Sequence, residues 1–386
     1  MSGLVPSDAF AAVRVRWLPL VAVGALVALV VVAAVLRAVA GDAVAPDALF
    51  AVLLYVPLVL WTLWQAWRHR IRLGVFFRRP RIGRYWWVVA GMTVVLFLFS
   101  IGAANITGLL LPGYADGAGV DTGAGLPLLF VSLVVLPPLV EELVFRGMLL
   151  ERWSVKWRLG VAIVVQAVVF GVLHVDPVGA GMFGVVMALM YIRTRSLWVP
   201  IAMHAANNGT VLLFVSLAGD AAAEQSPTDP AQALIGAAIF LVLSAPFIVA
   251  FIRRNWPTAD TLTPYEAAEF GDDALPPRHL GRVTIIEGPY GLTGRSGRLW
   301  VEEGGVIVMA DRNSRVRLTS VAYPALAAIT VSADLATIVL VAGDGTSVTF
   351  TQHRRTRRGR ESFVAALGKR AVAGGGPMAG WALQVT

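Results

Sequence analysis

Eight apolar stretches fill most of the first 252 residues of this 386-residue chain, near positions 17–36, 49–67, 86–111, 126–150, 159–175, 178–192, 197–218 and 232–252. Most approach the roughly 20 residues an α-helix needs to cross a hydrocarbon core of about 30 Å. The fifth and sixth are short, and only Asp176–Pro177 separates them. The pattern predicts an all-α polytopic membrane domain over residues 1–254, with about eight transmembrane helices.

Beyond it the pattern changes. Residues 255–281 hold Pro257, Pro264, Pro276 and Pro277 with several acids and no sustained periodicity, and read as a linker. Short β-rich segments then recur: "RVTII", "RLWV", "GVIVMA", "RVRL", "AITV", "ATIVLVA" and "SVTFTQ". Between the last two, "AGDGTS" predicts a hairpin, because Asp-Gly accepts positive φ. The amphipathic stretch "ESFVAALGKR" predicts a closing helix. The expectation is a small β-rich cytoplasmic domain over residues 282–375 and a tail over 376–386. Strands followed by one helix resemble the architecture of a PH-like domain. A small β-barrel is the other reading.

Charge orients the chain. Arg14 and Arg16 precede the first stretch, and the loop after it, around Asp42 and Asp47, is acidic. The segment "RHRIRLGVFFRRPRIGR" carries seven arginines. Asp116 and Asp121 follow, then Arg152, Lys156 and Arg158, then Asp176, then Arg193 and Arg195, then Asp220, Glu224 and Asp229, then Arg253 and Arg254. The sign alternates at every crossing. Basic loops stay cytoplasmic, so both termini are expected inside. That placement also accounts for the net charge of +8 without nucleic acid as a partner. The N-terminal apolar run exceeds a signal-peptide core and reads as a retained helix. With no cysteine, disulfides, Cys-ligated zinc and a thiol nucleophile are excluded. The Ala, Val, Gly and Arg bias points to a high-GC bacterium, and hence to a bacterial cell membrane.

Against this background a few polar residues stand out. Glu141 and Glu142 are the first two glutamates of the chain, and they lie with Arg146 in the fourth stretch. His174 ends the fifth, and His204, Asn207 and Asn208 lie in the seventh. Ionisable groups at bilayer depth cost about 2.5–3.5 kcal/mol each on insertion scales, and persist where they face a partner or cavity. Glu142 and Arg146 are four residues apart and can pair on one helix face. Glu141 points about 100° away and has no local partner. Phe170 with His174, and His204 with Asn208, repeat the spacing of four. Three helices thus each offer a polar stripe to a common interior. Such stripes also serve simply to hold helices together.

The stripes match three motifs in order: "EELVFR" fits EExxxR, "FGVLH" fits FxxxH and "HAANN" fits HxxxN. Over residues 86–218 the chain resembles the CAAX-protease and bacteriocin-processing (CPBP, or Abi) family of intramembrane proteases. The resemblance implies a peptide hydrolase in which Glu141 activates water with help from His174. It implies His204 and Asn208 as stabilisers of the oxyanion, and Glu142 with Arg146 as a structural pair. A substrate peptide or membrane protein, in the bilayer, is the implied partner. Glu141, His174 and His204 also resemble a zinc ligand set, but the favoured expectation is Glu-activated water with no cofactor.

One count fits poorly. If the fourth helix ends near residue 150, Glu141 and His204 lie about 10–14 Å deep and His174 about 22 Å, so the fifth helix must start later, tilt or shift. Two other functions use the same residues: a non-catalytic scaffold or regulator binding in the cavity, and a proton-coupled transporter, against which the lack of an inverted repeat argues. The five arginines of "HRRTRRGR", residues 353–360, suggest contact of the C-terminal domain with anionic lipid or a protein. A solvated loop is the plainer reading.

Overall fold

The structure is a computed structural model. It describes residues 10, 13–40, 46–111, 125–218, 229–258, 261–270, 278–288, 291–302, 305–310, 316–322, 325–354, 356–373 and 383–385. The chain divides into two compact units, Met1–Pro257 with Thr263–Ala268, and Thr258–Leu262 with Glu269–Thr386.

The first unit is helical. Each apolar stretch falls on a helix: α1 Leu18–Ala40, α2 Pro46–His69, α3 Trp86–Leu110, α4 Leu126–Lys156, α5 Leu159–Val172, α6 Pro177–Thr194, α7 Trp198–Ala218 and α8 Pro230–Asn255. Five helical segments among the described residues are long and apolar enough to cross a membrane: Val15–Val32, Gly83–Leu110, Leu126–Lys156, Pro177–Thr194 and Pro230–Asn255. The chain is therefore a multi-pass membrane protein. Its core forms where α4, α5 and α6 meet, with Met148, Leu149, Leu150, Ile163, Phe170, Met187 and Tyr191 buried together. Small residues bring α5 and α6 close. A methyl added at Gly184 would stand 3.0 Å from the Ala167 Cα, and one at Gly171 would run into the Pro177 carbonyl.

Helix α4 is irregular. Two π-helical segments, Phe130–Val135 and Leu143–Leu150, flank a regular turn, Leu136–Glu142. The cause of the first lies in Pro137 and Pro138. Neither has an N–H, so the carbonyls four residues earlier, Leu133 and Val134, lose their α-helical donors. Helices widened in this way recur at functional sites.

The segment read as a linker is partly ordered. Pro264–Phe270 forms a short helix, α9, whose start carries a capping box. The Thr263 N–H donates to Glu266 Oε2 at 2.9 Å, and the Glu266 N–H donates to Thr263 Oγ1 at 3.2 Å. Tyr265 packs edge-on to Phe10, with centroids 4.9 Å apart, and against Phe76 at 5.7 Å. Its N–H reaches Glu151 Oε1 at 3.3 Å, and the Tyr191 hydroxyl donates to the same oxygen at 3.0 Å. Seven residues are too few to show a helical period in the sequence.

Among the described residues the second unit is one eight-stranded sheet of β1 Arg278–Glu287, β2 Ser296–Glu302, β3 Gly305–Ala310, β4 Val316–Ala322, β5 Leu326–Val331, β6 Thr337–Ala342, β7 Ser347–Gln352 and β8 Leu383–Val385, in the order β4-β3-β2-β1-β7-β6-β5-β8. Every predicted strand segment overlaps a strand, from β1 Arg278–Glu287 to β7 Ser347–Gln352, with Arg315 of "RVRL" outside the described residues. The predicted hairpin turn has Gly345 at φ +83°. Helix α10, Arg357–Ala373, buries Phe363 and Leu367 with Val283, Ile285, Leu299 and Phe350 of the sheet. The predicted tail holds a further strand, β8 Leu383–Val385, which pairs parallel to β5. Three residues are too short to read from a pattern.

Candidate active site

The motif residues of α4 and α7 converge with Phe170 on α5 and with His174, two residues past its end. Glu141 Oε2 stands 3.8 Å from His174 Nε2 and 3.9 Å from His204 Nε2. That oxygen is buried and has no hydrogen-bond partner. The other carboxylate oxygen, Oε1, accepts a 2.6 Å hydrogen bond from the Tyr55 hydroxyl on α2. The sequence showed no partner for Glu141. The structure supplies one from a helix outside the three motifs, 86 residues away in the chain.

Backbone and side-chain bonds set the faces of the two imidazoles. His174 Nδ1 lies 2.6 Å from the Phe170 carbonyl, one turn back. A carbonyl only accepts, so Nδ1 carries the proton, and Nε2 is the nitrogen turned towards Glu141. His204 Nδ1 lies 3.0 Å from Glu142 Oε1 and donates to that carboxylate. Glu142 also takes Arg146 Nη1 at 3.0 Å, and both side chains of this pair are completely buried. The pair expected from the spacing of four is present, and it does more than neutralise itself: it holds His204.

Phe170 locks the three motifs together. Its ring lies 4.6 Å from the Arg146 guanidinium carbon and 4.2 Å from the His174 ring. It also meets His204 edge-on at 6.1 Å. Arg146 Nη2 and Gln166 Nε2 both donate to the Gly184 carbonyl, at 3.4 and 2.9 Å, which ties the site to α6.

Asn208 Nδ2 donates to the Leu133 carbonyl at 2.9 Å. This is the carbonyl that Pro137 leaves without a donor, so Asn208 repairs the irregular turn of α4. The second N–H on the same nitrogen remains. The neighbouring Asn207 Oδ1 is buried without a partner.

The discrepancy in depth disappears. Helix α4 does not stop near residue 150 but continues to Lys156, so Arg152 and Lys156 lie on the helix and the turn is Trp157–Arg158. Glu141 and His174 are then each 15 residues from the turn (141 to 156, 159 to 174), about 22 Å at the α-helical rise, along two arms of one hairpin. His204 lies only six residues into α7, yet it bonds Glu142. The α4–α5 turn therefore extends beyond the α6–α7 turn. His69 is the last residue of α2 rather than part of the arginine-rich loop, and it takes no part in the cluster.

Residues 123–210 match the family model "Rce1-like: Type II CAAX prenyl endopeptidase Rce1-like". The membrane core resembles the CPBP family. The "Putative membrane peptidase YdiL" of Bacillus subtilis (strain 168) is 26% identical over 133 residues, 33% of this chain and 54% of that protein. The "Membrane-embedded CAAX protease MroQ" of Staphylococcus aureus (strain USA300) is 33% identical over 99 residues, 23% of this chain and 40% of that protein. The chain thus spans about half the length of these curated relatives. All three CPBP-like motifs lie inside the matched segment, whereas Tyr55 lies outside it.

The candidate zinc ligands are spread slightly wider than the donors of a tetrahedral site. Donors on one tetrahedral zinc stand about 3.4 Å apart, closer than the 3.8 and 3.9 Å found here. Among the described residues no group of three or more His, Cys, Asp or Glu is arranged to hold a metal ion.

Proposed function

We propose that this protein is an intramembrane endopeptidase that cleaves a membrane-associated peptide or protein with Glu141-activated water. The observation that carries the reading is the unpartnered Glu141 Oε2 facing two imidazole Nε2 atoms at 3.8 and 3.9 Å. These gaps are too long for direct hydrogen bonds and suit a molecule bonded to both sides. Water placed there donates one proton to Glu141 and one hydrogen bond to His174 Nε2. Its oxygen attacks the scissile carbonyl carbon as the proton passes to Glu141. His204 and the second N–H of Asn208 face the oxyanion. Since His204 Nδ1–H is committed to Glu142, the ring acts as a donor only when Nε2 also carries a proton. Collapse of the intermediate breaks the C–N bond, and Glu141 returns the proton to the leaving amine. The products are one carboxylate and one amine. Purified protein incubated with a peptide library, with and without a chelator, tests this. Cleavage that survives chelation of a demonstrably metal-free sample is expected, and the absence of any cleavage sinks the reading.

His174→Ala and His204→Ala are each expected to reduce turnover about 10²–10⁴-fold, the usual scale of general acid–base assistance. His69→Ala, a change outside the cluster, should leave it unchanged. Rates of the three variants on one cleaved peptide check this, and a fully active His174→Ala would remove that ring from the mechanism.

The reading extends to the rest of the chain. The alternating loop charges support eight crossings with both termini cytoplasmic, and the residue bias supports a bacterial cell membrane. The acidic positions Asp42, Asp116, Asp121, Asp220 and Glu224 lie outside the described residues. The sheet order and following helix of the second unit support a PH-like domain, with β8 as an addition. Its basic segment meets anionic lipid. Arg355 lies outside the described residues, and Arg357 forms an exposed pair with Glu361 at 3.4 Å. Hydrogen exchange over residues 353–360 of the full chain should slow in anionic relative to neutral nanodiscs, reversibly with salt. Equal exchange in the two would leave the segment as a solvated loop.

A further inference from the structure

Tyr55 belongs to none of the motifs and lies on a helix outside the matched segment, yet its hydroxyl stands 2.6 Å from Glu141 Oε1. We propose that Tyr55 is a positioning residue for the hydrolysis proposed above: it holds Oε1 of Glu141 so that Oε2 stays turned towards His174 and His204. The inference rests on the hydrolase reading and deepens it.

A glutamate side chain is free at its end. The last torsion of its side chain is broad and roughly two-fold, so an untethered carboxylate exchanges its two oxygens and wanders in plane. A general base needs one oxygen within reach of the water. A hydroxyl hydrogen bond to an ionised carboxylate is short and strong enough to remove that freedom. The arrangement divides the two oxygens cleanly: Oε1 takes the phenol, and Oε2 is buried with no partner. A phenol suits the task because it donates without a charge of its own. An arginine or lysine in its place would neutralise the base. Tyr55 itself is buried, and Thr62, two turns on along the same face of α2, is fully buried as well. This face of α2 is therefore turned into the protein, and Tyr55 reaches the carboxylate from a fixed wall.

The plain alternative is that the bond only fastens α2 to α4. Tyr55→Phe separates the two, since it keeps the ring and deletes the hydroxyl. On a peptide cleaved by wild-type protein, positioning predicts a fall in kcat of about 10–100-fold, with KM within about twofold of wild type, the signature of an interaction made for the chemical step. A tie between helices predicts unchanged kcat and a lower Tm. A readout independent of turnover is labelling of Glu141 by dicyclohexylcarbodiimide, followed by mass spectrometry. The freed carboxyl of Tyr55→Phe should react several-fold faster than wild type. Should that variant fail to insert, Tyr55→Met, apolar and of similar reach, is read in the same way. Wild-type kcat in either variant, or labelling at the wild-type rate, overturns the role of Tyr55 alone. A wild-type protein that cleaves no peptide at all overturns the hydrolase reading, and this role with it.

Discussion

Glu141→Gln should bring peptide hydrolysis down by about 10²–10⁴-fold while the protein still inserts and folds. The substitution changes little but the base. Glutamine has the same length and keeps an amide oxygen to accept the Tyr55 hydroxyl that now meets Oε1 at 2.6 Å. What it replaces is Oε2, the buried oxygen with no hydrogen bond that faces both imidazoles. An amide nitrogen there donates and cannot take a proton from water. Turnover of one cleaved peptide, beside the melting profile in detergent, checks both halves. Wild-type turnover in the variant would remove Glu141 as the base.

Glu142→Gln should act in the opposite manner, chiefly on stability. Its carboxylate receives Arg146 Nη1 and His204 Nδ1, each at 3.0 Å, where Glu142 and Arg146 have no exposure at all. Glutamine retains an acceptor but removes the charge, and a guanidinium buried without its counter-ion costs about 3–5 kcal/mol. The companion variant Arg146→Met removes the stranded cation. The double variant Glu142→Gln with Arg146→Met should therefore melt above Glu142→Gln alone, the non-additivity expected of residues in contact. A single variant that melts with wild type would show that the pair is dispensable. Activity should also fall, because His204 loses a charged partner.

Some of this site is legible in the sequence alone, for a physical reason. Glutamate, arginine and histidine are so costly among apolar neighbours that their mere presence marks an interior, and a spacing of four places Glu142 beside Arg146. Other parts left no such mark. Tyrosine is at home in apolar helices, so nothing distinguished Tyr55 from Trp61 or Trp64 on the same helix. The bond from His204 to Glu142 joins residues 62 positions apart, and no periodicity encodes it. Pro137 and Pro138 were visible, but which group would answer the freed Leu133 carbonyl depends on how α7 lies against α4. The end of α4 was misplaced because Glu151 and Arg152 look like a loop when charge alone is weighed. Glu151 is in fact buried beneath Tyr191 and Tyr265, and the Arg152 Nε donates to the Val13 carbonyl at 3.0 Å. In the second unit the strand segments were legible from their β-branched and aromatic runs. Their pairing order, with β1 between β2 and β7, required long-range contacts that no local pattern carries.

The docked helix Pro264–Phe270 bears on where the chain can be cut. A truncation placed after Asn255, where the last long helix stops, discards Tyr265. Glu151 then keeps only the Tyr191 hydroxyl, the rings of Phe10 and Phe76 lose their cover, and the Arg72 N–H loses the Tyr265 hydroxyl it meets at 3.1 Å. A cut after residue 270 spares all of these. The membrane half carries its own plug on a stretch of chain that looks like connecting rope, and a shortened protein for purification should be ended beyond it.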